Sequence, residues 1–112
     1  MEVQEMVQKV KKALLAMQRY SWEQGVTAQA MLESGETELA ILMAKEAVNR
    51  QTEDGRLAIM GNNTGVTDPA AVGEALLYAA KATGDEALKA AADRMLDYLL
   101  NKAPKTKDGT LY

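Results

Sequence analysis

The chain has 112 residues and a mass of 12.1 kDa, room for one domain with a small core. Thirteen basic and sixteen acidic side chains give a formal net charge of −3, a balance that argues against nucleic acid as a partner. Cys and His are absent, which removes disulfides, thiolate and imidazole catalysis, and the commonest ligands of zinc.

Hydrophobic residues make up 47% and charged residues 26%, an ordinary balance for a folded chain. No apolar run approaches the roughly 18 residues of a membrane span. Residues Met1 to Glu5 show no basic region followed by an apolar stretch, so a cytoplasmic protein is expected. Phe is absent and Pro occurs twice, while Ala, Leu, Met, Glu and Lys dominate. That composition predicts helices, and the spacing places five.

The first is predicted over Val3 to Arg19, with Val3, Met6, Val7, Val10, Leu14 and Met17 on one face. The second covers Trp22 to Glu33, with Ser21 as N-cap, Gln24 completing a capping box and Gly35 as the stop. The third covers Thr37 to Gln51, striped by Leu39, Leu42, Met43, Ala47 and Val48, and ends in the Asp54-Gly55 turn. A long connection, Arg56 to Thr67, carries Gly61, Asn62, Asn63, Thr64 and Gly65; long ordered links are often functional. The fourth helix runs from Pro69 to Thr83, capped by Asp68 and stopped by Gly84. The fifth runs from Glu86 to Lys102 with a wide apolar face, before Pro104 and the Asp108-Gly109 turn.

The landmarks repeat. Gly25 and Gly73 stand 48 positions apart, and the stops Gly35 and Gly84 stand 49 apart. Ser21 to Gln51 and Asp68 to Asn101 share one plan: capped helix, small residues, Gly with acids, second helix, Asp-Gly. Such a period marks stacked helical hairpins. The second and fourth helices carry the small residues and should form an inner layer, with the first, third and fifth outside. The fifth helix then presents an apolar seam with no inner helix after it. Leaving its Leu and Met side chains wet would cost about 1.5–3 kcal/mol each, so a homodimer or other homo-oligomer is expected.

Several segments together resemble the amino-terminal part of six-hairpin glycosidases, glycoside hydrolase families 88 and 105. They are Ser21-Trp22-Glu23-Gln24-Gly25, Thr67-Asp68-Pro69-Ala70-Ala71-Val72-Gly73-Glu74, Lys81-Ala82-Thr83-Gly84-Asp85, Ala91-Ala92-Asp93-Arg94-Met95-Leu96-Asp97-Tyr98 and Asp108-Gly109-Thr110-Leu111-Tyr112. The resemblance implies an all-α fold, an incomplete (α/α)6 barrel holding about two and a third hairpins of six in a single domain, 1–112. It also implies action on unsaturated glucuronyl or rhamnogalacturonyl sugars by hydration of a C4=C5 double bond. Those families use two Asp residues. Asp68 stands where the first is expected, and the second would follow Tyr112, so the expectation is a truncated or split member without activity of its own.

In an alternating barrel Trp22 and Asp68 begin inner helices and line one mouth, with Tyr20, Glu23, Asn62, Asn63 and Thr64 nearby. An indole beside carboxylates and amides suits a sugar, whose apolar face stacks and whose hydroxyls hydrogen-bond. Each residue also has a plainer reading. Asp68 before Pro69 is a helix start, Trp22 a packing wedge, Glu23 a first-turn partner of the helix dipole, and Asn62 and Asn63 turn formers. The alternative function is therefore a non-enzymatic helical module that binds sugar, protein or itself. No cofactor and no metal are expected, because neither a phosphate loop nor a calcium-loop spacing is present.

Overall fold

The computed structural model describes residues 2–60 and 65–111. Among these the helices are α1 (Val3–Met17), α2 (Ser21–Glu33), α3 (Thr37–Asn49), α4 (Gly73–Thr83) and α5 (Glu86–Asp97). A 3-10 turn, Asp68–Ala70, precedes α4, and a π-helical turn, Tyr98–Lys102, extends α5. The only pairing of extended backbone among the described residues is an isolated bridge between Lys105 and Leu111. The protein is all-α, as the sequence predicts. None of the described helices is long and apolar enough to cross a membrane.

The layers follow from side-chain size. α2 packs on α3 and on the start of α4; α3 packs on α4, and α4 on α5. Ala28, Ala40, Ala44, Ala47, Ala75 and Ala79 are all buried where these helices meet. This corrects the stripe expected for α3 at Leu42 alone: Met43 and Ala47 are buried, and Leu39 and Val48 pack against the core. Leu42 is exposed, and the face turned inward is Ala40, Met43, Ala44 and Ala47. Small side chains let two helices approach at once, and a helix that must touch both α2 and α4 turns its alanines toward them.

Three boundaries differ from expectation. Ser21 is not a cap but the first, fully buried residue of α2. Glu23 closes the helix start: its Oε1 accepts the backbone N–H groups of Arg19 at 2.9 Å and Tyr20 at 3.0 Å. A carboxylate makes charge-assisted bonds to these donors, stronger than those of a neutral hydroxyl. Gln24 takes no part, because its amide Nε2 reaches across to the Met43 carbonyl at 2.7 Å.

The second correction concerns Asp68, which does not cap α4. Its carbonyl accepts Ala71 N–H at 3.0 Å in a tight turn around Pro69, and regular α-helix begins only at Gly73. The third concerns α5, which loosens after Asp97, where Ala103 N–H bonds to Tyr98 O at 2.7 Å in an i→i+5 closure.

α1 stands apart. It contributes no buried residue, and only Leu14 and Leu15 pack against the core. A Lys11–Glu36 ion pair at 2.7 Å ties it to the start of α3.

Two helical segments meet at backbone distance at Gly25. A Cβ there would lie 2.4 Å from Ala71 Cβ and 2.7 Å from Val72 N. Gly73, its counterpart in the repeat, has nothing within 4 Å of the same position. The two glycines therefore separate under one substitution. Gly25→Ala should cost about 3 kcal/mol and lower the thermal midpoint by roughly 10–20 °C, because the obstruction is backbone. Gly73→Ala should stay within about 1 kcal/mol of the parent, as a helix position where Ala is the better former. Thermal unfolding followed by circular dichroism checks both.

Candidate functional site

Links of three residues between α2 and α3 and two between α4 and α5 turn the chain back on itself, so α2 and α4 begin toward the end where α3 and α5 finish. The contact at Gly25 fixes how their starts meet. Trp22 lies one turn before Gly25 on α2, and Asp68 lies three positions before Ala71. The backbone thus delivers both residues to one end of the molecule. Their surroundings differ. Trp22 is 47% exposed and lines a groove of about 320 Å³ between α1 and α2, with Val10, Leu14, Met17 and Val26. Asp68 is exposed at the head of the 3-10 turn.

Tyr20 sits exposed in the link before α2, two positions before Trp22, and does not line the groove. Glu23 borders the groove, although one carboxylate oxygen is held by the two backbone N–H groups. Asn62, Asn63 and Thr64 lie outside the described residues.

The same end carries a polar cluster that the sequence reading treated only as a turn. Asp54 accepts hydrogen bonds from the Thr52 hydroxyl and from Arg56 Nε, the latter at 3.2 Å to both carboxylate oxygens. The Arg56 guanidinium lies over the buried Tyr98 ring, 5.7 Å from its centroid. Partial burial pushes the Asp54 carboxyl up. The bonds from Thr52 and Arg56, with the Arg56 charge, outweigh it and hold the pKa below the ordinary carboxylate value.

Next to this cluster Gln51 Nε2 donates to the carbonyls of Gly55 and Ala91, each at 2.9 Å. Arg94 donates to Gln51 Oε1 at 3.0 Å and to the Thr52 carbonyl at 2.9 Å. Gly55 permits this docking: its φ is +104°, and a Cβ would lie 2.3 Å from the Arg94 carbonyl oxygen. A Gly after Asp was legible as a turn; the partners on α5, some 40 residues later, were not.

Chemically, this end offers an accessible carboxylate, two accessible aromatic rings and an apolar groove. Asp54 and Glu23 are engaged in holding backbone and cation in place. No group of three acidic side chains among the described residues has the arrangement to hold a metal ion.

The Asp54 cluster makes stability depend on acid. A carboxyl whose folded pKa is depressed stabilises the fold above its unfolded pKa, the ordinary carboxylate value, and that contribution is lost as pH falls through the folded value. Asp54→Asn should therefore be less stable than the parent at neutral pH and converge with it as pH falls through the depressed folded pKa of Asp54. Urea unfolding at a series of pH values checks this; a constant gap between the two proteins would contradict it.

A family model described as Glycosyl Hydrolase Family 88 matches the chain over residues 1–112, the full length. No curated protein and no solved structure matches it. The family match covers the inner-helix starts, the Asp-Pro turn and the paired hairpins described above, and by it the chain belongs to Glycosyl Hydrolase Family 88.

Proposed function

We propose that the chain forms the sugar-facing wall of a glycoside hydrolase site for unsaturated uronides. Asp68 is the catalytic or substrate-binding carboxylate, and Trp22, with Tyr20 beside it, is the stacking platform. The observation that carries this reading is the backbone contact of Gly25 with Ala71 and Val72, which brings the starts of α2 and α4 to one end. A half-exposed indole costs water contacts unless something covers it, and the apolar face of a pyranose is a fitting cover.

Hydration of a C4=C5 bond needs a proton delivered to one carbon while water adds to the other, followed by collapse with release of the leaving sugar. Two groups must therefore act, one donating and one accepting a proton. At this end Glu23 is bonded to backbone and Asp54 to Arg56, so neither is spare for that second role. The family resemblance assigns Asp68 alone among these residues, so the reading expects sugar binding with little or no turnover.

A second reading, a binding module with no catalytic part, draws support from the apolar lining of the α1–α2 groove. Calorimetry with unsaturated glycosaminoglycan and rhamnogalacturonan disaccharides tests both, together with loss of the double-bond absorbance. Binding should weaken about tenfold in Trp22→Ala and in Asp68→Asn, the loss of one stacked ring or one charged hydrogen bond. Undetectable binding of every disaccharide by the parent chain would remove the sugar reading and leave a protein-binding module.

A further inference from the structure

The spacing between Trp22 and Asp68 is set at one place, and we infer that Gly25 is the positioning residue that sets it. By carrying no side chain, Gly25 lets the turn that bears Asp68 rest directly on the backbone of α2. The consequence for a bound sugar rests on the proposed function; the placement of the turn does not.

The contact links the two residues by equal steps. Trp22 stands three positions before Gly25 on α2, and Asp68 stands three positions before Ala71, whose N–H bonds to the Asp68 carbonyl at 3.0 Å. Steps of three residues in helical turns span about 5–6 Å each, so the two side chains leave the backbone within roughly 15 Å of one another. A Cβ on Gly25 would lie 2.4 Å from Ala71 Cβ, 2.5 Å from Ala71 C and 2.7 Å from Val72 N, whereas ordinary contact begins at 3.4 Å. Alanine there would force the two segments about 1 Å apart.

Which segment gives way follows from how each is held. α2 is fixed on its other sides. Its Gln24 amide bonds to the Met43 carbonyl of α3 at 2.7 Å, and Ser21, Thr27, Ala28 and Met31 are buried. Gln24 is itself buried with its Oε1 unpartnered, so losing that one bond would leave the whole amide unpaired in the interior. The turn is held more locally. Ala70 N–H bonds to the Thr67 carbonyl at 2.9 Å and Ala71 N–H to that of Asp68, both within the turn, while Pro69 and Val72 anchor it in the core. The Asp68 side chain makes no hydrogen bond among the described residues. A methyl on Gly25 therefore displaces the turn and its carboxylate and leaves Trp22 in place. Gly73, the counterpart in the repeat, has nothing within 4 Å and sets no such spacing.

The chain has one tryptophan, Trp22, and no cysteine, so the spacing can be read without a ligand. Asp68→Cys carrying a nitroxide on its thiol puts a short-range quencher of Trp22 fluorescence on the turn. Adding Gly25→Ala should reduce the quenching. Gly73→Ala should leave it unchanged, and so should Leu88→Ala, which destabilises the core from α5. Circular dichroism checks folding, in sucrose where Gly25→Ala needs help to stay compact. Ala71→Gly removes part of the contact from the turn's side without a clash and should reduce the quenching by a smaller amount; it decides the matter if Gly25→Ala does not fold. Calorimetry with the unsaturated disaccharides reads the carboxylate itself. Asp68→Asn should weaken binding about tenfold in the parent but no more than about twofold in Gly25→Ala, where Trp22→Ala keeps a factor of about ten.

Quenching that is unchanged in the folded contact variants overturns the proposal. So does an equal loss in Leu88→Ala, which would make the shift a matter of stability alone. A full Asp68 factor in folded Gly25→Ala overturns it as well. Disaccharides that do not bind the parent remove the sugar reading, and the quenching still decides what places Asp68.

Discussion

Gly25 has no side chain, and the backbone of Ala71 and Val72 stands where one would be. That exclusion organises the rest of the structure. It lets α2 and the segment leading into α4 meet at backbone distance, which in turn requires the alanine-rich faces of α2, α3 and α4 to close around them. Large side chains are consequently displaced outward. Leu42, Leu77, Leu96 and Leu100 are exposed in a chain whose core is built largely from Ala and Met, with Leu57, Leu76 and Leu88 among its few larger members. A core of small residues buries little area per residue, so close approach and dispersion contacts must compensate.

Polar groups supply specificity where apolar area is limited. Glu23 closes α2, Gln24 bridges α2 to the Met43 carbonyl, and Gln51 and Arg94 fasten the turn after α3 to α5. Each bond joins elements far apart in sequence or closes a helix end, and each uses a side chain that would otherwise be free to contact a ligand. This division of labour sharpens the candidate site. Of the acidic residues near the starts of α2 and α4, Glu23 and Asp54 are engaged, whereas Asp68 is open to solvent at the Asp-Pro turn, as are Glu53 and Glu74 nearby.

A hairpin whose inner helix carries small residues is shaped to receive another helix, and the second hairpin repeats the form of the first. α1 has the stripe of a packed helix but meets the body only through Leu14, Leu15 and the Lys11–Glu36 pair. Apolar pattern and apolar burial are thus separate facts in this molecule: the stripe on α1 is as regular as any in the chain and is the least buried.

Much was legible from residues alone. Period and composition fix five helices and glycine spacing marks the repeat, because each is a local consequence of side-chain size and spacing. The ordered segments around Trp22, Asp68 and Asp108 were enough to point to the hydrolase family. Tertiary structure decided what depends on competition between partners. Whether Ser21 or Glu23 closes α2 turns on which oxygen reaches the backbone donors, and whether Leu42 or Ala40 faces inward turns on how closely α2 and α4 approach. The engagement of Asp54 turns on an arginine two residues away and a tyrosine 44 positions later in the chain. Those outcomes are set by distances between segments, and sequence spacing carries no measure of them until the chain has folded.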